Sequence, residues 1–159
     1  MLKIPDCIRR QLLLWAMRHM QRRQADVVIE KDYLSRWWVF KSPWLRVYLH
    51  KVHRSDRDRA LHDHPWHNAS LILSGAYEEI LWGGSRALGP GCLVLRRATF
   101  RHRLVVVRGP VVSLFVTGPK IREWGFWPFI AGSHGRRRWV HWKDFVKPDN
   151  YQMAERAAE

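Results

Sequence analysis

The chain has 159 residues, 28 Lys+Arg against 14 Asp+Glu and a formal net charge of +14. Its length fits one domain, and 47% hydrophobic residues with ten Trp exclude a disordered chain. Two cysteines 85 positions apart, Cys7 and Cys92, exclude a disulfide-dense secreted scaffold and a cysteine-based zinc ribbon, and both read as small buried residues in a reducing compartment.

In chain order, residues 6–23 contain no Gly or Pro, and Ile8, Leu12, Trp15 and Ala16 recur at helical spacing behind Pro5 and Asp6. This predicts one amphipathic helix with a solvated Arg face. Its longest apolar run, 12–17, is too short for a membrane span or a signal-peptide core, so the chain reads as cytoplasmic with no membrane partner. From about residue 27 the pattern changes to short β-rich runs. Strands are expected at 37–40, 45–53, 69–73, 76–82, 92–95, 102–107 and 111–117, with turns at Gly83-Gly84, Gly89-Pro90-Gly91 and Gly109-Pro110. Many short strands with one helix mean a sandwich or barrel. The alternating charges of 54–59 read as a solvated turn, and 152–159 as a frayed or helical tail.

The most informative stretch is Leu61-His62-Asp63-His64-Pro65-Trp66-His67-Asn68. Residues i and i+2 of an extended segment point to the same side, so His62 and His64 aim two imidazoles at one point. His102 opens a later run in which Phe100, Leu104 and Val106 share its face, and a polar ring among apolar neighbours needs a partner. A metal shared with His62 and His64 is such a partner, although an isolated histidine is more often a surface group or a hydrogen-bonded core group.

The spacing resembles that of the cupin superfamily. Its first motif runs Gly, five residues, His-x-His, three or four residues, Glu, six residues, Gly; here His62, His64 and Gly75 match, with Asn68 at the Glu position and Asp56 at the opening Gly. In the second motif Gly91 and His102 match, while Arg97, Thr99 and Val106 replace Pro, Gly and Asn. The resemblance covers roughly 45–117 and implies an all-β double-stranded β-helix, a jelly-roll barrel, preceded by the helix and followed by strands over 118–147 and a tail over 148–159. It implies a metal at His62, His64 and His102, with Asn68 beside it. Three His without a ligating Glu, opened by His62-Asp63-His64, is also similar to the thiol dioxygenases. That likeness implies Fe(II), with Mn, Ni or Zn as other divalent occupants, and a small anionic substrate brought to the metal together with dioxygen. His67 is a fourth ligand candidate that strand parity turns away. Asp63 by the same parity points away from the metal.

Tyr48 and Arg122 are the candidate catalytic residues. Tyr48 and His50 share one face of the strand over 45–53, and either face can be inward. Ser70 and Ile72 share parity with the histidine pair and are candidate lining residues, Ile72 being equally an ordinary core residue. Arg122, Trp124 and Phe126 alternate onto one face, where a guanidinium between aromatics can clamp a carboxylate or phosphate; an edge strand whose Arg pairs with Glu is the plainer alternative. Residues 136–143 interleave Arg, Trp and Lys as single-strand nucleic-acid sites do. The leading expectation is therefore a mononuclear non-haem Fe(II) oxygenase on a small anion. The alternatives are an isomerase or epimerase acting by His acid–base chemistry on sugar nucleotides, and a non-catalytic basic module holding nucleic acid. Cupins are frequently homodimers, which makes a second copy an expected partner.

Overall fold

The structure is a computed structural model that describes residues 2–29, 33–56, 60–130 and 135–145. Its elements are β1 (Leu2–Lys3), α1 (Asp6–Gln21), β2 (Val27–Ile29), β3 (Leu34–Lys41), β4 (Arg46–Val52), β5 (Leu61–His62), β6 (Asn68–Leu81), β7 (Gly84–Leu88), β8 (Cys92–Arg96), β9 (Arg103–Thr117), β10 (Gly125–Trp127) and β11 (Val140–His141). All pairings are antiparallel. The larger sheet runs β1-β8-β6-β9-β4-β3-β2 with β7 paired to β6, and a smaller one runs β11-β10-β5. The isolated bridge His62↔His102 joins the small sheet to the start of β9.

Two pairs of expected strands are each one long strand. β6 passes through Gly75 and β9 through Gly109-Pro110, with the register between them slipping near residues 72–77. Gly75 has φ +78, and a Cβ there would stand 2.7 Å from the Arg108 carbonyl oxygen and 2.9 Å from that of Pro110. A glycine therefore lets β6 bend while β9 lies against it, so the gap expected between strands 69–73 and 76–82 is a bulge within one strand. The Gly83-Gly84 signal does make the hairpin between β6 and β7.

α1 seals one side of the large sheet. Ala16 is fully buried, and Leu12, Leu13 and Met20 pack with it on Trp37, Leu49, Leu73 and Val112. Ile8 and Trp15, expected on the inner stripe, are 51% and 39% exposed. The stripe is rotated because Arg9 takes the inner line, donating from Nη1 to the Leu73 carbonyl at 2.8 Å while Asp6 holds its Nε. Cys7 lies exposed on this helix, contrary to expectation, whereas Cys92 is buried. A second core cluster gathers Ile72, Tyr77, Leu88, Cys92, Val94 and Val111. Among the described residues no helix is long and apolar enough to cross a membrane.

The loop over 54–59 also departs from expectation. Asp56 turns inward and accepts hydrogen bonds from the Tyr33 hydroxyl and from the Leu104 N–H, the latter at 2.8 Å. Residues 57–59 and the tail over 148–159 lie outside the described residues.

Gly75→Ala is expected to destabilise the chain by about 1–3 kcal/mol in urea unfolding, since the new Cβ meets backbone on three sides at a left-handed φ. Gly83→Ala, where a Cβ meets nothing within 4 Å, should change stability by less than about 0.5 kcal/mol. Equal effects of the two substitutions would contradict the packing described.

Candidate metal centre

His62 and His102 are cross-linked by their own backbones: His62 N–H donates to the His102 carbonyl at 2.9 Å, and His102 N–H donates to that of His62 at 3.0 Å. Such a pair sends both side chains to one side of the ladder. His64 N–H donates to the Ala98 carbonyl at 3.0 Å. Between the two ligand candidates, Asp63 is buried and accepts from Gly125 N–H at 2.9 Å, from Trp127 Nε1 at 3.2 Å and from Arg122 Nη1 at 3.0 Å. β5 ends at His62, so His64 lies beyond the strand and the common aim of the two rings comes from these clamps more than from strand alternation.

The rings converge. Centroids of His62 and His64 are 5.2 Å apart, those of His62 and His102 4.8 Å, and those of His64 and His102 5.1 Å. One nitrogen from each ring lies within 4.8 Å of the other two. His64 Nε2 and His102 Nε2 are 2.8 Å apart. Two imidazole nitrogens bound at right angles to one divalent ion, each at about 2.1 Å, stand about 3 Å apart, so the spacing suits a shared ion.

Behind His102 lies a residue that the sequence reading missed. Glu79, on β6, is fully buried and accepts from His102 Nδ1 at 2.7 Å, from Arg96 Nε at 2.7 Å and from Arg86 Nε at 2.6 Å. Burial raises its pKa, but the His102 hydrogen bond and the Arg96 charge overcome that and hold it at about 2. With its Nδ1 proton on Glu79, His102 presents a lone pair at Nε2, which is the tautomer a metal requires. Burial chiefly, opposed by the Glu79 bond and assisted by His62 and Arg96, lowers the His102 pKa to about 4. His64 is likewise held well below the usual imidazole range, by burial and then by His102. Both rings are therefore neutral donors near neutral pH. A carboxylate oxygen of Asp56 stands 3.9 Å from His62 Nδ1.

From the cluster an aromatic wall leads across the large sheet. His64 stacks on Trp66 at 5.0 Å, Trp66 meets Phe115 at 5.9 Å, and Phe115 stacks on His50 at 4.7 Å. Tyr48 and His50 both pack on Phe115, so their face of β4 lines the barrel, while Leu49 on the other face is buried under α1. Arg36, from the neighbouring strand, donates from Nε to His50 Nε2 at 3.0 Å and sets its guanidinium 4.6 Å from the Tyr48 ring centre. It forms no ion pair with a carboxylate among the described residues. Burial and then the Arg36 charge push the His50 pKa well down, so His50 is a neutral acceptor.

The remaining candidates separate into wall, core and clamp. Asn68 sits between its register partners Thr117 and Arg96. Asn68 is buried with neither amide atom bonded within the protein, and the Thr117 hydroxyl is likewise unpartnered. They leave uncommitted polar groups in the barrel wall. Ser70 lies on the same inner face, paired with Phe115 and Val94. Ile72 belongs to the hydrophobic core. Arg122 is engaged by Asp63 and reaches the His64 carbonyl at 3.4 Å, so it braces the ligand loop. Trp124 stacks on buried Trp142 in a satellite cluster with Phe126. His67 is exposed, its Nδ1 accepting from Ala98 N–H at 3.1 Å, outside the ring cluster.

No protein-family model matches the chain, nor does any curated protein. Solved structures do. KdgF from Halomonas sp. is 20% identical over 64% of this chain and 90% of its own, with a TM-score of 0.53. A candidate mannose-6-phosphate isomerase from Ralstonia eutropha is 21% identical over 60% and 93%, with a TM-score of 0.51. An uncharacterized double-stranded β-helix protein from Klebsiella pneumoniae is 19% identical over 63% and 89%, with a TM-score of 0.49. At such identities the likeness to the first two concerns the fold alone, a cupin-like double-stranded β-helix, to which this chain adds an N-terminal helix.

Glu79→Gln keeps the shape of the buried side chain while removing the charge that orients His102. Divalent-metal affinity, measured by competition with a chromophoric chelator, should fall about 10–100-fold. Unchanged affinity in a folded variant would remove Glu79 from the account of the site.

Proposed function

We propose that this cupin is a mononuclear metal-dependent enzyme acting on a small anionic substrate, of the non-haem Fe(II) oxygenase type. The observation that carries the reading is a convergent set of three neutral imidazoles, His62, His64 and His102, backed by the Glu79 carboxylate and without a carboxylate in the donor set itself. When bound there, a divalent iron supplies redox activation of dioxygen, and three neutral donors leave its charge for an anion to balance.

The chain's own residues account for the rest. Arg36 offers an anion a desolvated guanidinium that no described carboxylate neutralises. His50 accepts from its Nε and fixes the plane of that fork, while Tyr48 lies against its face. Half-buried Trp66 and Phe115 connect this corner to His64 through ring contacts. Asn68 and Thr117 offer hydrogen bonds to a neutral polar group of the substrate.

A second reading is an isomerase-type reaction in which His50, buried, neutral and next to Arg36 and Tyr48, moves a proton. That reading needs neither metal nor dioxygen.

The two separate in one experiment on protein purified without a His tag. Metal analysis is expected to find about one equivalent of divalent ion per chain, lost in a folded His64→Gln variant. Oxygen uptake with a panel of small thiols and carboxylates should follow the metal, and Arg36→Gln should raise KM for an active anion about tenfold or more, with a smaller change in kcat. Anaerobic turnover of sugar phosphates or sugar nucleotides by metal-stripped protein would favour the isomerase reading. Metal-free protein indistinguishable from its His64→Gln and His102→Ala variants would overturn the oxygenase one.

A further inference from the structure

A second cationic feature lies on the outside of the barrel. Where the β6–β7 turn, the loop between β8 and β9 and β10 meet, Leu81, Trp82, Gly83, Leu95, Arg97, Thr99, Phe100 and Arg101 line a cleft of about 630 Å³. A second cleft of about 480 Å³ shares Leu95 and Arg97 with it and continues past Arg96, Ala69 and Val116 to His67 and Asn68. Large apolar side chains face water here: Trp82 is 52% exposed and Leu95 71%. Contiguous exposed apolar surface of this kind marks an interaction site more often than a neutral surface.

Arg97 and Arg101 line the cleft, and Arg137 stands at its margin beside Trp82. The Arg101 guanidinium lies 3.6 Å from the Trp127 ring centre and 4.9 Å from that of Trp82, and the two indoles meet edge to face at 5.9 Å. Arg137 lies 3.6 Å from the Phe129 ring centre and 5.9 Å from that of Trp82, its Nη1 held by the Trp127 carbonyl. Arg97, Arg101 and Arg137 form no ion pair with a described carboxylate. The complementary partner carries repeated negative charge and flat apolar groups that can lie on an indole.

We propose that this cleft binds single-stranded nucleic acid, with Arg97, Arg101 and Arg137 on phosphates and Trp82 stacking an unpaired base. Two joined clefts suit a chain of nucleotides better than a lone anion. Unpaired bases are required because the π-faces of a duplex are already stacked. An acidic peptide would use the guanidinium groups and leave the indole without a complement. The basic 136–143 segment contributes differently from the sequence expectation: buried Trp142 is stacked on Trp124, and the stacking surface is instead Trp82, from the far end of β6. Binding here requires no metal and no reaction at the histidines, although the cleft adjoins them: Phe100 packs on His102 at 5.8 Å and the second cleft reaches Asn68.

The test is fluorescence anisotropy with a labelled oligo-dT of about fifteen nucleotides, titrated between about 50 and 200 mM salt. The wild type should bind with affinity falling steeply with salt. Trp82→Ala should weaken binding about tenfold or more, Trp82→Phe should retain most of it, and Arg97→Gln or Arg101→Gln should each reduce the log–log salt slope by about 0.7. Arg18→Gln, on exposed α1, should change affinity much less than Arg101→Gln. The Trp82→Phe variant keeps a stackable ring and so separates stacking from misfolding. The proposal fails on any of three results: no binding at the lowest salt, equal affinity of folded Trp82→Ala and wild type, or an Arg18→Gln loss as large as that of Arg101→Gln. The last two would describe diffuse attraction of any polyanion.

Discussion

A carboxylate sealed from water inside a β-barrel costs several kcal/mol unless its charge is matched and its lone pairs are filled. Glu79 meets that requirement with Arg86 from β7, Arg96 from β8 and His102 ahead of β9. The arrangement works only if these elements keep their register on β6, where Glu79 stands opposite Arg86 and Leu104. Losing any one partner leaves part of that buried charge uncompensated. Glu79 therefore ties sheet register to the orientation of His102, and the geometry of the nitrogen cluster depends on it.

The consequence is a site whose negative charge stands one bond removed from the donor atoms. Asn68 occupies the position at which a ligating carboxylate would sit in the motif, and it is neutral. Glu79 supplies charge through the His102 ring instead, and the nearest carboxylate oxygen to His62 Nδ1 belongs to Asp56 at 3.9 Å. Asp63 is occupied by Arg122 and the β10 backbone. Among the described residues Arg36, on the inner wall, has no carboxylate partner. Part of the surplus of +14 thus lies in an inner cation facing the barrel and part in outer guanidinium groups laid on aromatic rings, two places suited to anions of different size.

Much of this was legible in the residues. The His-x-His spacing and the distant His102 identified the cluster because each signal is local or has a fixed motif separation, and α1 was legible from its 3.6-residue period. Glu79 was not, since Glu78-Glu79 near a Gly83-Gly84 turn has the composition of a solvated hairpin, and its inward face becomes evident only once Arg86 and Arg96 are across from it. Arg36 was missed for a related reason: β3 begins three residues earlier than its Trp-rich center suggests, and the His50 partner is fourteen residues away on another strand. Ile8 and Trp15 were misplaced because a hydrophobic stripe does not foresee an arginine seated on the Leu73 carbonyl. Gly109-Pro110 reads as a turn, and Gly75 as a break between two strands, because the sequence alone does not distinguish a bulge from a chain reversal.

The proposed centre holds a divalent ion on three imidazoles and no protein carboxylate. X-ray absorption of the protein loaded anaerobically with Fe(II) tests it most directly. The account predicts nearest-neighbour scattering from three imidazole nitrogens at about 2.1 Å, with the outer-ring signature of histidine and no bidentate carboxylate. A spectrum dominated by oxygen ligands, or one unchanged in the His64→Gln variant, would contradict it.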